Sequence, residues 1–261
     1  MTTVPLAVLA RTTTAYVDPD GMQDYAPTGL QVWGGIPIVE RLAVAESCNL
    51  ATIAAAADWG AQALLVHHGL FWQTDDPAND PGWQIGLRRA AALRAAGISL
   101  LAYHLPLDAH SEVGNNTCIA RALGMKVTHR DFCRLGETGP AIGVIGELDE
   151  PLTPETLAAR VREVLGGSTI LCPGGKDVIK TVGVVSGGGA SSLYEAATRG
   201  LDAFISGEGR EWSPGVATET GVTFIAVGHH ASEQLGVQAL AGWIAGRFGV
   251  AWRFFPESNP F

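Results

Sequence analysis

Three short stretches of this chain carry side chains able to do chemistry. "LLVHHGLFW" (64–72) delivers His67 and His68 at the end of an apolar run, "AYHLPLD" (102–108) carries His104 and Asp108, and "GHHASE" (228–233) carries His229 and Glu233. Imidazole with carboxylate suits zinc, iron or manganese, and the lack of a paired thiol argues against a thiolate-rich structural site. A mononuclear catalytic zinc usually takes three protein ligands. His67, His68, Asp108, His229 and Glu233 make a larger set. With one bridging carboxylate it would serve two ions about 3.5–4 Å apart, the spacing at which hydrolases share an activated water. His104 is placed to act as a general acid–base or as a supporting partner of a ligand.

A lone histidine is usually a hydrogen-bonded core or surface residue, but a doublet closing an apolar strand is harder to explain that way. Neighbouring strand side chains point to opposite faces; at a strand end the pleat breaks down, and adjacent imidazoles can reach different ions of one pair. His230 should project elsewhere if His229 faces the site, and His110 and His129 read as loop residues. In "SGEGREW" (206–212), Glu208 and Arg210 read either as substrate contacts or as a solvated charged loop. The lone glycine turn "SGGG" (186–189) has no accompanying phosphate-loop signature, no Gly-x-Ser-x-Gly elbow is present, and no cysteine lies in a nucleophile motif.

The elements that must position these residues alternate. Strands are expected over 41–46, 63–68 and 98–104, with helices over 49–60, 84–97 and 115–124, and this alternation predicts an α/β layered fold with a mostly parallel or mixed sheet. A further strand, a helix opening at Thr153-Pro154, and a strand at 168–175 begin a second lobe. Residues 42–72 lie over residues 182–212 without a gap, and 97–108 resembles 221–233 in the same order. Duplication follows: two similar α/β lobes with mixed sheets flanked by helices, the first over 1–130 and the second over 131–261. The C-terminal strand and helix are free to pack with the first lobe.

At 261 residues, 47% hydrophobic and 16% charged, the chain is long enough for a sizeable core. A net charge of −9 with only 17 Lys and Arg disfavours nucleic acid and anionic membranes as partners. Four scattered cysteines without a CxxC pair fit reduced thiols better than a disulfide framework. The stretch "MTTVPLAVLARTTTAYV" has no basic segment ahead of a long apolar run, and no apolar run approaches a membrane span. A cytoplasmic protein is expected.

Five pieces, "TGLQVWG" (28–34), "LLVHHGLFW", "AYHLPLDAHSEVGNN" (102–116), "FISGE" (204–208) and "GHHASE", occur in an order that resembles the Nif-three-like dinuclear metal-centre proteins, often labelled GTP cyclohydrolase type 2 homologues. Position by position, the resemblance implies that His67, His68, Asp108, His229 and Glu233 ligate two divalent ions, with Glu233 as the bridge. It also implies two similar lobes facing each other across that site, a toroidal homohexamer, and no room for the inserted domain of longer members. One departure is that Tyr25-Ala26-Pro27-Thr28 replaces the family's W-D-N-like run. The expected function is a metal-dependent hydrolase using a metal-bridging water on a small substrate, with nucleotide-like molecules among the candidates and His104 as proton shuttle. The alternative is a ring-shaped metal-binding scaffold or chaperone, or a single-strand nucleic-acid-binding protein without turnover.

Overall fold

The computed structural model describes residues 2–72, 79–137 and 139–261. Their strands are β1 (Val4–Pro5), β2 (Gly29–Val32), β3 (Ile38–Val39), β4 (Arg41–Ser47), β5 (Ala63–His68) and β6 (Ser99–Ala102). They continue with β7 (Met125–Arg134), β8 (Ala141–Leu152), β9 (Ile170–Cys172), β10 (Ile179–Val185), β11 (Ala203–Ser206), β12 (Thr223–Ala226) and β13 (Ala251–Phe254). The fold is mixed α/β, with several sheets and helices packed on them. Two compact units are present: Met1–Leu107 with Val237–Ser258, and Asp108–Gly236 with Asn259–Phe261. The first break between the units falls at Leu107/Asp108. The long strands β7 and β8 hold residues 125–152 in the second unit's sheet, and the preceding helix Asn115–Ala122 packs on both.

In the first unit the sheet order is β13-β4-β5-β6-β2, parallel from β13 through β6 and antiparallel at β2. Ala43, Ala45, Leu64, Val66, Leu100 and Ala102 pack with Ile53 and Leu93 of the helices Leu50–Asp58 and Pro81–Ala95. The alternate residues Leu42, Val44, Leu65 and Leu101 are also fully buried, the two-sided burial that makes parallel strands read as continuous apolar runs. Local chemistry sets the helix starts: the side chains of Asn49 and Asp80 accept from the amides of Thr52 and Gly82. Val237–Ser258 joins this unit because β13 adds in parallel to β4, with Trp252 opposite Leu42.

In the second unit the order is β7-β8-β10-β11-β12-β9, with β10, β11 and β12 parallel and the other pairings antiparallel. Helix Pro154–Leu165 starts as expected, with Thr153 capping the Thr156 amide and Pro154 in the first turn. His129 lies within β7 rather than in a loop, its register to β8 shifted by irregularities on both sides. Leu42 pairs with Ala63 and Ala63 with Ser99 in the first unit; Val182 pairs with Ala203 and Ala203 with Thr223 in the second.

One polar residue ties the start of β10 to the start of β11. The Asp202 carboxylate accepts from Lys176 Nζ at 2.7 Å, from the amides of Lys180 and Thr181, and from the Thr181 hydroxyl at 2.9 Å. Burial alone would raise its pKa, but these donors outweigh that and hold it near 2, below its ordinary 3.8. Because the folded-state value is depressed, the stabilisation is complete above the unfolded value and is lost as pH falls toward 2. Asp202→Asn is expected to cost on the order of 1–2 kcal/mol at neutral pH and to flatten the acid limb of stability, measured by urea unfolding between pH ~2 and ~7.

Candidate metal centre

Each unit concentrates its chemical side chains at the carboxyl ends of its parallel strands, where sites in open α/β sheets form. In the first unit, β5 ends in His67 and His68, and the chain leaving β6 carries Tyr103 and His104 before the helix Leu105–Ala109 begins. His67 is fully buried and the His68 side chain is 19% exposed. The three rings form one cluster, with centroids 4.7 Å apart for His67–His68, 5.1 Å for His67–His104 and 5.5 Å for His68–His104. One nitrogen from each lies within 4.8 Å of the others, a group that could hold a metal ion. The Trp72 indole stands edge-on to His104 at 5.1 Å and walls one side of the cluster.

The second contacts of these rings decide which nitrogen points inward. His67 Nδ1 is 3.0 Å from the Tyr103 carbonyl oxygen, His104 Nδ1 is 2.8 Å from Asp24 Oδ1, and His68 Nδ1 contacts Glu46 Oε1. A carbonyl or carboxylate oxygen only accepts, so each Nδ1 is the donor and Nε2 is the nitrogen each ring has for coordination. Histidines that ligate metals are oriented and made more basic in this way. The donor chemistry therefore fits a divalent transition ion.

Asp24 is a finding that the sequence reading missed. It is 6% exposed and accepts from His104 Nδ1 and from the amides of Leu105, Tyr25 and Ala26. The departure at Tyr25–Thr28 thus leaves an aspartate one residue upstream with a defined task, holding His104. Glu46, on β4 beside β5, was likewise missed, because nothing local in "RLAVAES" marks an inward-facing carboxylate.

In the second unit, Asp108 is 4% exposed, and its Oδ1 accepts from Asn115 Nδ2 at 2.8 Å and from Ser186 Oγ at 3.2 Å. Asn116 accepts from the Ser186 amide at 2.7 Å, so the "NN" pair locks both the aspartate and the turn after β10. His229 opens the short helix His229–Ser232 after β12, and its Nε2 lies 3.1 Å from Glu233 Oε2. Its Nδ1 lies 2.7 Å from Glu208 Oε1. Glu233 is 3% exposed and offers an oxygen within 4.8 Å of one from Asp108 and of a ring nitrogen of His229. The Glu233 carboxylate holds the His229 pKa up to about 9 against the pull of burial, with Glu208 adding to it. A proton and a metal ion compete for that Nε2.

Glu208, read from sequence as a substrate contact or a solvated loop residue, grips His229 Nδ1 and lies 3.4 Å from Arg210 Nη2 in a pair open to solvent. His230 is turned elsewhere: it is 4% exposed and its amide donates to the Phe261 carbonyl at 2.8 Å. The "SGGG" turn serves packing. Gly187 has φ +61°, and a Cβ there would collide with Glu233 Oε1. Gly187→Ala therefore cannot leave the Glu233 carboxylate in place. It is expected to cost about 1 kcal/mol in backbone strain and to weaken divalent-ion binding roughly 10–100-fold, measured by metal titration with circular dichroism as the folding control.

Known proteins resemble the chain along its whole length. A protein of Pseudomonas aeruginosa named "GTP cyclohydrolase 1 type 2 homolog" is 38% identical over 263 residues, covering 98% of this chain and 99% of that protein. A solved structure titled "protein ybgI, unknown function" superposes with TM-score 0.88 at 34% identity, covering 99% of this chain and 100% of the other. One from Thermus thermophilus does so with TM-score 0.84 at 32% identity and the same coverage. The family model described as Duf34/NIF3 (NGG1p interacting factor 3) matches residues 6–260. With its histidine and carboxylate clusters set on a mixed α/β fold shared with these proteins, the chain belongs to the Duf34/NIF3 family.

Proposed function

We propose that this chain is a dinuclear divalent-metal protein that hydrolyses a small, nucleotide-like substrate. The observation that carries the reading is the histidine doublet, in which the Nδ1 atoms of His67 and His68 are each engaged by an oxygen acceptor, so that Nε2 is the nitrogen each ring has for coordination. In this reading His67, His68, Asp108, His229 and Glu233 hold two ions of zinc, iron or manganese, with Glu233 shared between them. When bound, such ions polarise a carbonyl, amidine or phosphoryl group and acidify water. His104 Nε2 takes up and releases the proton while Asp24 keeps Nδ1 protonated. Glu208 and Arg210 contact the substrate, Glu208 also setting the His229 ring.

Matching strand registers support an origin by internal duplication: Leu42 with Ala63 and Val182 with Ala203 occupy equivalent places in the gapless sequence repeat. Assembly into a homohexameric ring is proposed on the run of exposed apolar side chains Leu30, Trp33, Ile36 and Ile38, at the sheet edge formed by β2 and just beyond it. A cytoplasmic setting is proposed on the four free cysteines, three of them buried. Among the described residues no helix is long and apolar enough to cross a membrane.

The test is metal analysis of anaerobically purified protein, followed by a hydrolysis screen of nucleotides, cyclic amides and amidines. Two ions per chain and turnover abolished by chelation are expected. Full turnover in metal-free protein overturns the reading.

A further inference from the structure

The second unit contains a cavity of about 380 Å³, within the range that takes a small ligand. Its lining is unevenly divided. Ile170 and Ala226, direct partners in the pairing of β9 with β12, form one wall, and Phe261 contributes to another. Ser168, Glu208 and His229 supply side-chain polarity, and glycines on either side of Glu208 and before His229 expose backbone to the space. Among the described lining residues none is Lys or Arg.

We infer that this cavity is the recognition pocket for an uncharged planar heterocycle that presents an N–H donor edge to Glu208. An apolar wall suits the face of a ring. The Glu208 carboxylate has about four acceptor positions, of which His229 Nδ1 takes one; the solvent-open Arg210 contact at 3.4 Å is weak. An N–H edge therefore finds an acceptor there, whereas a ring lacking donors leaves the carboxylate desolvated without compensation. This rests on the hydrolase reading for its purpose, but the binding itself needs no turnover. Because Glu208 also holds His229, ring recognition is set next to the residue proposed to hold metal.

The experiment uses the full chain, metal-loaded, and calorimetric titration with 2-aminoquinazolin-4(3H)-one, a neutral ring whose N3–H and amino group form a two-donor edge, and with 3-methylquinazolin-4(3H)-one as the donorless comparison. The donor-edged ring is expected to bind at least about tenfold more tightly than the donorless one. Ile170, 60% exposed on the edge strand, can be replaced without disturbing the core. Ile170→Arg is expected to weaken binding of the neutral donor-edged ring by about tenfold or more while metal content stays unchanged. Equal affinity for the two rings, no binding of either, or indifference to Ile170→Arg overturns the inference. Metal analysis of the same samples separates that failure from failure of the metal-dependent reading.

Discussion

Glu233→Ala protein is expected to retain its fold, to bind at most one divalent ion per chain, and to lose hydrolytic turnover to background. Glu233 is 3% exposed, touches His229 Nε2, and lies within ligand distance of the Asp108 carboxylate. In the proposed site it is shared by both ions, so its removal should exceed the roughly 10–100-fold loss of metal affinity typical of supporting residues. Asp108→Ala should act in the same direction, and it also leaves the buried Asn115 amide and Ser186 hydroxyl without their carboxylate, at about 1–3 kcal/mol. Metal stoichiometry by mass spectrometry, read with a urea melt, separates lost coordination from lost folding. Two tightly held ions in Glu233→Ala protein would sink the shared-ligand assignment.

Replacing His104 should dissociate turnover from metal content. If His104 moves a proton while five other residues hold the ions, His104→Ala keeps both metals and loses about 10²–10⁴-fold in turnover, the usual worth of a positioned acid–base group. His104 nevertheless clusters with His67 and His68 closely enough to be a ligand. A fall in metal stoichiometry on His104→Ala would therefore move it into the coordination set. Asp24→Asn offers an independent reading. An amide in place of the carboxylate weakens the hold on His104 Nδ1 and frees the ring to turn, so turnover should fall with metal content unchanged.

Local pattern made much of this protein legible. Arg41–Ser47 and Ala63–His68 are strands because their apolar runs are buried on both faces, and Leu50–Asp58 and Pro154–Leu165 begin at side-chain caps visible in the sequence. The strand expected to run to His104 stops at Ala102 instead. His104 is then positioned by Asp24, 80 residues away in the chain, a contact no local periodicity encodes. The unit boundary was illegible for a related reason. Which sheet a strand joins depends on distant pairings, such as β13 with β4, and short-range composition is silent about those.

Residue type and spacing alone determined which side chains are present to do chemistry: a histidine doublet at a strand end, a His-Asp segment, and a His-Glu segment, all beside glycine-bearing turns. Tertiary structure alone decided their aim. Tyr103 O, Glu46 and Asp24 accept from the three Nδ1 atoms, Glu208 accepts from that of His229, and Gly187 leaves the space in which the Glu233 carboxylate sits. Coordination chemistry depends on lone pairs converging within a few ångströms, and that convergence is fixed by buried acceptors drawn from distant parts of each unit.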